Sequence, residues 1–377
     1  MPDLNPNLKK TKPKTQQVIT PKPHWQESLS EYVTSIDWSP DGKLLAAASA
    51  AGEVGLYREA TKQFTLLQVA TDISVDCVSF SADAKWLVAA GQDAKIYLWD
   101  VSSSHPILTN TLDMGDAWID QLAWHPTRSE FAFSLGKYVQ VWSVDTQDIV
   151  TTVSFEHSSV LALNWHPSGE WLTVGGYQGI KLWRASDWYE DPVNFELPTA
   201  TALLAWDKAG KYLAANTIDK NVLLLEWKDS DFESSPWRMQ GFPAKIRAFA
   251  WSAAPHQAQA QDLDPMLVTS SGAESVVWRR DPDPEIGWEG EVLQGHIGNV
   301  NSIAFRPDTQ LLASAGEDGK VSLWQNAKHW VQMLNNSRSP ITCMQWQPQG
   351  QRLSIGNDRG ELTIWAESTQ AMGFGAR

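Results

Sequence analysis

From Val300 to Trp324 apolar and polar positions alternate in three short runs, Val300 to Phe305, Leu311 to Ala315 and Val321 to Trp324, with turn residues between them. Alternation of period two over four to six residues describes a strand with one buried face, and connections this short leave no room for a helix. The stretch therefore predicts three strands of one small antiparallel sheet. Its aromatic mark, Phe305, has equivalents at Trp38, Phe80, Trp124, Trp165, Trp206, Trp251 and Trp346, and successive marks lie 42, 44, 41, 41, 45, 54 and 41 residues apart. From the mark to the end of the third run the distance is 18 or 19 residues in seven copies, which end at Tyr57, Trp99, Trp142, Trp183, Leu225, Trp324 and Trp365. It is 27 in the copy that ends at Trp278. Eight copies of one module leave no room for a second domain.

The best-preserved copy opens at Gly295-His296 and carries Ser314, Asp318 and Trp324 at the offsets of a WD40 repeat, which it resembles. The resemblance implies an all-β fold, an eight-bladed WD40 β-propeller closed by an N-terminal strand. It also implies that His296, Ser314, Asp318 and Trp324 form a buried hydrogen-bonded chain, in keeping with the rule that buried polar groups find partners. Other copies keep less: Asp93 with Trp99, Ser354 with Trp365, and a displaced His157 with Thr173 and Trp183. Packing of large rings between neighbours is expected to hold those blades. The expected organisation is a flexible basic tail over residues 1–23 and one propeller over 24–377. Its blade cores lie near 33–57, 75–99, 119–142, 160–183, 201–225, 246–278, 300–324 and 341–365.

The segment from His24 to Tyr32 aligns with Glu291 to Asn299, so Trp25 and Glu27 occupy the place of an outer strand ahead of the first blade. The last blade has only three strands of its own. Pairing His24 to Glu27 as its fourth closes the ring and removes two exposed sheet edges. Ser368 to Phe374 is the competing candidate. Copy six has two long connections, 252–265 and 279–289, on one face of the ring, and these form a second candidate surface.

The chain has 30 Lys and Arg against 44 Asp and Glu, a net charge of −14. Residues 1–24 hold five Lys against Asp3, so the remainder stands at −18. Such a body repels nucleic acid and anionic lipid, and neither is expected as a partner. No run of 18 apolar residues and no apolar signal-peptide core occurs. Cys77 and Cys343 hold the same first-strand position two blades apart, which disfavours a disulfide, and unpaired thiols suit a reducing compartment. A cytoplasmic location is expected.

The chain has no phosphate-binding loop, HExxH helix, CxxC pair or GxSxG elbow. Asp281, Asp283 and Glu285 alternate as in a calcium loop, but the sixth position needs Gly and holds Ile286, so a solvated acidic turn is expected. His125 and His166 recur in Trp-His-Pro of adjacent copies, with His256 in the long connection. Turn capping is expected there, because the spacing supplies too few ligands for a metal. Eight-bladed propellers include quinone-dependent dehydrogenases, but those chains are longer and their motif has an Asp and a Thr-Gly before the Trp. No nucleophile stands beside a base. No catalytic residue, metal or cofactor is assigned, and an enzyme or small-ligand propeller using the axial funnel is the alternative reading.

Proteins of the family that this chain resembles bind other proteins chiefly through the narrow face, made by the entries to the first strands and the second-to-third-strand turns. In G-protein beta subunits the contact positions lie one before and one after the residue equivalent to Val300. Transferred here they include Tyr32, Asp76, Trp118, Asp120, Lys245, Arg247, Asn299 and Asn301, with Thr34 and Thr342 at the same offsets. Asp76, Trp118 and Asp120 then face Lys245 and Arg247 across the central opening. The expected ligand is a protein or peptide segment with both a cation and a carboxylate, anchored on Trp118 with Tyr32 beside it, and Tyr138, Tyr177 and Arg359 widen the site. The resemblance implies a non-catalytic scaffold, monomeric within a larger complex.

Overall fold

The computed structural model describes residues 18–156, 158–233, 235–253, 264–283, 285–335 and 339–368. These form eight antiparallel sheets and no helix. Seven sheets take their strands in chain order, and the eighth consists of Ile341–Trp346, Arg352–Asn357 and Glu361–Ser368 with the amino-terminal strand Val18–Ser28 on its outer edge. The chain is an eight-bladed β-propeller. The first strands of blades 1 to 8 are Val33–Trp38, Val75–Phe80, Leu122–Trp124, Ala162–Trp165, Leu204–Trp206, Ile246–Trp251, Val300–Phe305 and Ile341–Trp346. Each ends on the aromatic mark of the repeat.

Burial follows each strand's place in the blade. Second strands are covered by the neighbouring blades on both sides, so Leu44–Ser49 and Trp171–Gly176 are buried throughout and built from small and apolar residues. Outer strands such as Gln63–Gln68 keep solvent on one side. The core is divided accordingly into eight apolar clusters, one at each boundary between blades. Leu44, Ala46 and Leu56 of blade 1, for example, pack on Val78, Phe80 and Leu87 of blade 2. No blade holds a core of its own, which is why the module must repeat and close.

The aromatic marks tie the boundaries together. Where the mark is Trp, its indole N–H crosses to the preceding blade: Trp124 to the Ser79 carbonyl at 2.9 Å, Trp165 to Ala123 at 3.1 Å, Trp251 to Ala205 at 2.9 Å and Trp346 to Ala304 at 3.2 Å. Trp38 and Trp206 reach hydroxyls instead, Ser354 Oγ and Thr173 Oγ1, each at 2.9 Å. Phe80 and Phe305 have no side-chain N–H to offer. Their boundaries carry other bonds: Asp37 accepts from the Phe80 amide at 2.8 Å, and Arg279 donates to the Asn326 and Ala327 carbonyls at 3.0 and 3.1 Å.

The four-residue chain of the seventh copy is present. His296 bonds Asp318 through Nδ1 at 3.0 Å and Ser314 through Nε2 at 2.9 Å, and Trp324 Nε1 donates to Ser314 Oγ at 3.0 Å. Burial works to raise the Asp318 pKa, but bonds from His296, Ile297 N and Lys320 N outweigh it and hold the carboxyl below its ordinary value. The reduced copies need correction. Ser314 is paired with Ile303, whereas Ser354 is paired with Gln345 and Thr173 with Asn164, one step along the first strand. A one-residue offset turns a strand side chain to the other face. Ser354 and Thr173 therefore serve the Trp of the following blade, and Trp365 Nε1 finds no partner among the described residues. His157 lies outside the described residues.

The closing strand begins at Val18, six residues before the expected His24, and runs antiparallel to the third strand with Trp25 opposite Ile364 and Ser28 opposite Glu361. Register shifts flank Pro23, which lacks the N–H that a regular ladder needs. Trp25 packs at a tilt against Tyr57 and Phe64 of blade 1, with ring centroids 4.4 and 5.6 Å apart, so the added strand also fills the apolar boundary it closes. This boundary is rich in polar ties. Thr342 donates to the Val33 carbonyl at 2.6 Å, Gln347 to Gly42 at 2.7 Å and Gln345 to Asp37 at 2.9 Å, and Arg352 pairs with Glu59 at 2.9 Å. Burial pushes the Asp37 carboxyl up to about 6 against the bonds it accepts from Gln345 and the Phe80 amide. What remains of the expected tail, residues 1–17, lies outside the described residues.

The cross-blade bond is tested at Thr173. Thr173→Val keeps the side-chain shape but leaves the buried Trp206 indole N–H without an acceptor, and denaturant unfolding is expected to show a loss of about 1–3 kcal/mol. Thr173→Ser is expected to retain most of the stability. Equal stability of the two variants would contradict the assignment.

Candidate protein-interaction face

The positions just inside the first strands divide into two kinds. Thr34, Asn301 and Thr342 each donate to a carbonyl in the first strand of the next blade, Val75, Ile341 and Val33, at 2.5, 2.9 and 2.6 Å. These are ties between blades. The equivalent Asp76 and Asp120 have no proton to donate when ionised and stay on the face.

The expected basic sector is partly engaged by neighbouring blades. Arg247 donates to Asn301 Oδ1 at 3.1 Å and pairs with Glu317 at 3.6 Å, while Asn299 donates to both oxygens of Glu317 at 2.9 and 3.0 Å. Arg247, Asn299, Asn301 and Glu317 thus form one network across blades 6 and 7. Lys245 is exposed and makes no ion pair among the described residues.

The acidic and aromatic sector is open. Trp118 is 60% exposed, and with Asp116, Ala117, Asp120, Ser134, Gly136, Ser159 and Val160 it lines a cleft of about 300 Å³ between blades 3 and 4. Ile119 beside it is buried and fixes the loop. Asp76 accepts from the Ser74 hydroxyl at 2.5 Å. Partial burial, with the Asp76 carboxylate next, pushes the Asp120 pKa up. Tyr32 is exposed but stands on blade 1 and does not line the cleft. Over blade 4 and the connector that leads into it lies a groove of about 680 Å³, lined by Phe155, Glu156, Tyr177, Gln178 and Lys181 and by residues 194 to 198 in part. Of its lining only Tyr177 was expected at the site, because the rest come from connectors, a turn and two strands with no shared motif.

Exposed large apolar side chains are unevenly placed. Tyr32, Val69, Ile73, Trp118, Tyr138, Tyr177, Ile218 and Ile297 stand on the narrow face, and Tyr189 and Ile286 on the loops of the other. On that opposite face the turns are tied to one another. His125 Nδ1 accepts from the Thr127 and Arg128 amides at 3.1 and 2.9 Å, which leaves the proton on Nε2 to donate to the Gly169 carbonyl at 2.9 Å. His166 repeats this with Ser168 N and Gly210 O. Gly169 and Gly210 sit at φ 78° and 73°, where a Cβ would overlap these rings. Burial and the neighbouring Arg128 push His125 down to about 4.

With both ring nitrogens engaged, the two histidines cap turns and join blades. Asp281 and Asp283 likewise cap backbone amides two residues on, at 2.8 and 3.0 Å. Among the described residues no group of three or more His, Cys, Asp or Glu is placed to hold a metal ion, and no helix is long and apolar enough to cross a membrane. Most of the 252–265 connection, with His256, lies outside the described residues.

The family model "WD domain, G-beta repeat" matches residues 16–57, 148–184 and 288–325, and "Anaphase-promoting complex subunit 4 WD40 domain" matches 37–127. The chain is 21% identical over 267 residues to protein transport protein sec13 of Emericella nidulans, spanning 62% of this chain and 86% of that one. It is 25% identical to protein HIR1 of Phaeosphaeria nodorum, spanning 94% of this chain and 35% of that protein. Among solved structures, Chaetomium thermophilum Sqt1 bound to the N-terminus of the ribosomal protein L10 superposes with a TM-score of 0.76 at 15% identity, covering 91% of this chain and 99% of that one. This last likeness is one of fold.

The proximity of the two carboxylates has a titration consequence. In Asp76→Asn the repulsion on Asp120 is removed, and carboxyl NMR is expected to show Asp120 titrating at lower pH than in the parent protein. An unchanged titration would place the two groups apart.

Proposed function

The chain belongs to the WD40-repeat family, and we propose that it is a non-catalytic scaffold that binds a protein or peptide segment on its narrow face, with Trp118 as the anchor. The observation that carries this reading is the indole itself. A tryptophan 60% exposed in a cleft, on the face that collects the large apolar side chains, loses little on ordering and gains much when a partner covers it. The carboxylates Asp116 and Asp120 beside it favour a cationic side chain from the partner, and the indole face adds a cation–π contribution. On the basic side of the expected site Arg247 is engaged by Glu317 and Asn301, which leaves Lys245 as its exposed cation.

The relatives support a binding role: Sqt1 has been solved with a protein terminus bound, and sec13 is named for transport. The whole ring serves as a rigid mount. A cytoplasmic setting goes with this reading, since Cys77 and Cys343 are both free, and burial pushes their thiols up to about 12 and about 11.

The test is affinity purification from the native cell with Trp118→Ala beside Trp330→Ala, an exposed outer-strand control. Trp118→Ala is expected to lose the stoichiometric partner, with a cost of about 2 kcal/mol or more. Trp330→Ala is expected to retain it. Retention of the same partners by Trp118→Ala would overturn the reading.

A further inference from the structure

We propose that the segment bound on the narrow face is an extended, basic peptide that runs outward from the Trp118 cleft between blades 3 and 4, over their connector, to the Tyr177 groove of blade 4. This deepens the docking reading above and rests on it. The two depressions are lined by one connector: Phe155 and Glu156 belong to the outer groove, Ser159 and Val160 to the inner cleft. An aromatic ring marks each end, Trp118 at 60% and Tyr177 at 48% exposure.

The net charge along the path is negative. Asp116 and Asp120 lie in the inner cleft, Glu156 and Glu196 in the outer groove. The one cation lining either depression, Lys181, is already held by Glu156 at 3.2 Å over the Phe155 ring. Phosphates would be repelled here, and arginine or lysine side chains attracted.

The lining also selects backbone form. A helix satisfies its own peptide groups and asks for a smooth apolar trough, whereas an extended chain presents unpaired N–H and C=O groups every residue. The outer groove supplies partners for such groups: the amides of Gln178 and Asn194 and the short outer strand Val193–Glu196. Its apolar element is confined to Phe155, Tyr177, Leu197 and Pro198.

The probe is a displayed library of random linear peptides, panned on the full chain, with the enriched peptide then synthesised and titrated by fluorescence polarisation. Enriched sequences are expected to carry at least two Arg or Lys and no amphipathic helical pattern. Trp118→Ala and the double variant Tyr177→Ala/Glu196→Lys are each expected to weaken binding about tenfold or more at unchanged melting temperature. If Trp118→Ala weakens binding and the double variant does not, the outward path is wrong and the docking reading stands. If neither does, both fall. Acidic or helix-patterned binders, an absence of binders, or a dimer of the free protein that Trp118→Ala dissolves would also overturn the proposal, the last by making a second copy the occupant.

Discussion

An indole buried at a boundary between blades must place its N–H against an acceptor or lose the bond it had with water. Six of the eight blades meet that demand in the same way, by reaching from the end of the first strand into the preceding blade. The bond is directional and short, so it sets the register between neighbours that apolar packing alone leaves loose. Where the mark is Phe, the boundary is held by charged and amide groups instead. Ring closure follows the same logic, since Trp38 finds Ser354 across the join between the chain's two ends.

Much of this was legible in the sequence because a repeat multiplies a weak signal. The spacing of the aromatic marks located the first strands, and the alignment of Trp25 with the outer-strand position located the closing strand. The four-residue chain of the seventh copy was readable because all its members are present. What could not be read was the direction of single side chains. Ser354 and Thr173 sit one residue from the equivalent of Ser314, a difference that spacing in the sequence absorbs and a pleated strand does not. The same holds for Asn301 and Arg247, whose bonds to a neighbouring blade a position-by-position transfer does not show.

The two faces of the ring divide the work. On one, turns are joined by His125, His166 and Gln347 to glycine carbonyls of the next blade, and few large apolar groups are exposed. On the other, Thr34, Asn301 and Thr342 make the equivalent joins around blades 7, 8 and 1, and Arg247 joins blade 6 to blade 7. Blades 2 to 4 carry Asp76, Asp120 and Leu161 at those positions, none a donor when the carboxyls are ionised. Release from the structural bond leaves that arc of the narrow face free to present Trp118, its carboxylates and Tyr177 to a partner.

Hydrogen exchange at the tryptophan indoles tests the central claim most directly. In protein labelled with ¹⁵N at tryptophan and assigned by single Trp→Phe substitutions, the Nε1–H groups of Trp38, Trp124, Trp165, Trp206, Trp251 and Trp346 should exchange only on global unfolding, while those of Trp118 and Trp330 exchange at once. Exchange of the six as fast as Trp118 would mean that the blades are not joined through these bonds.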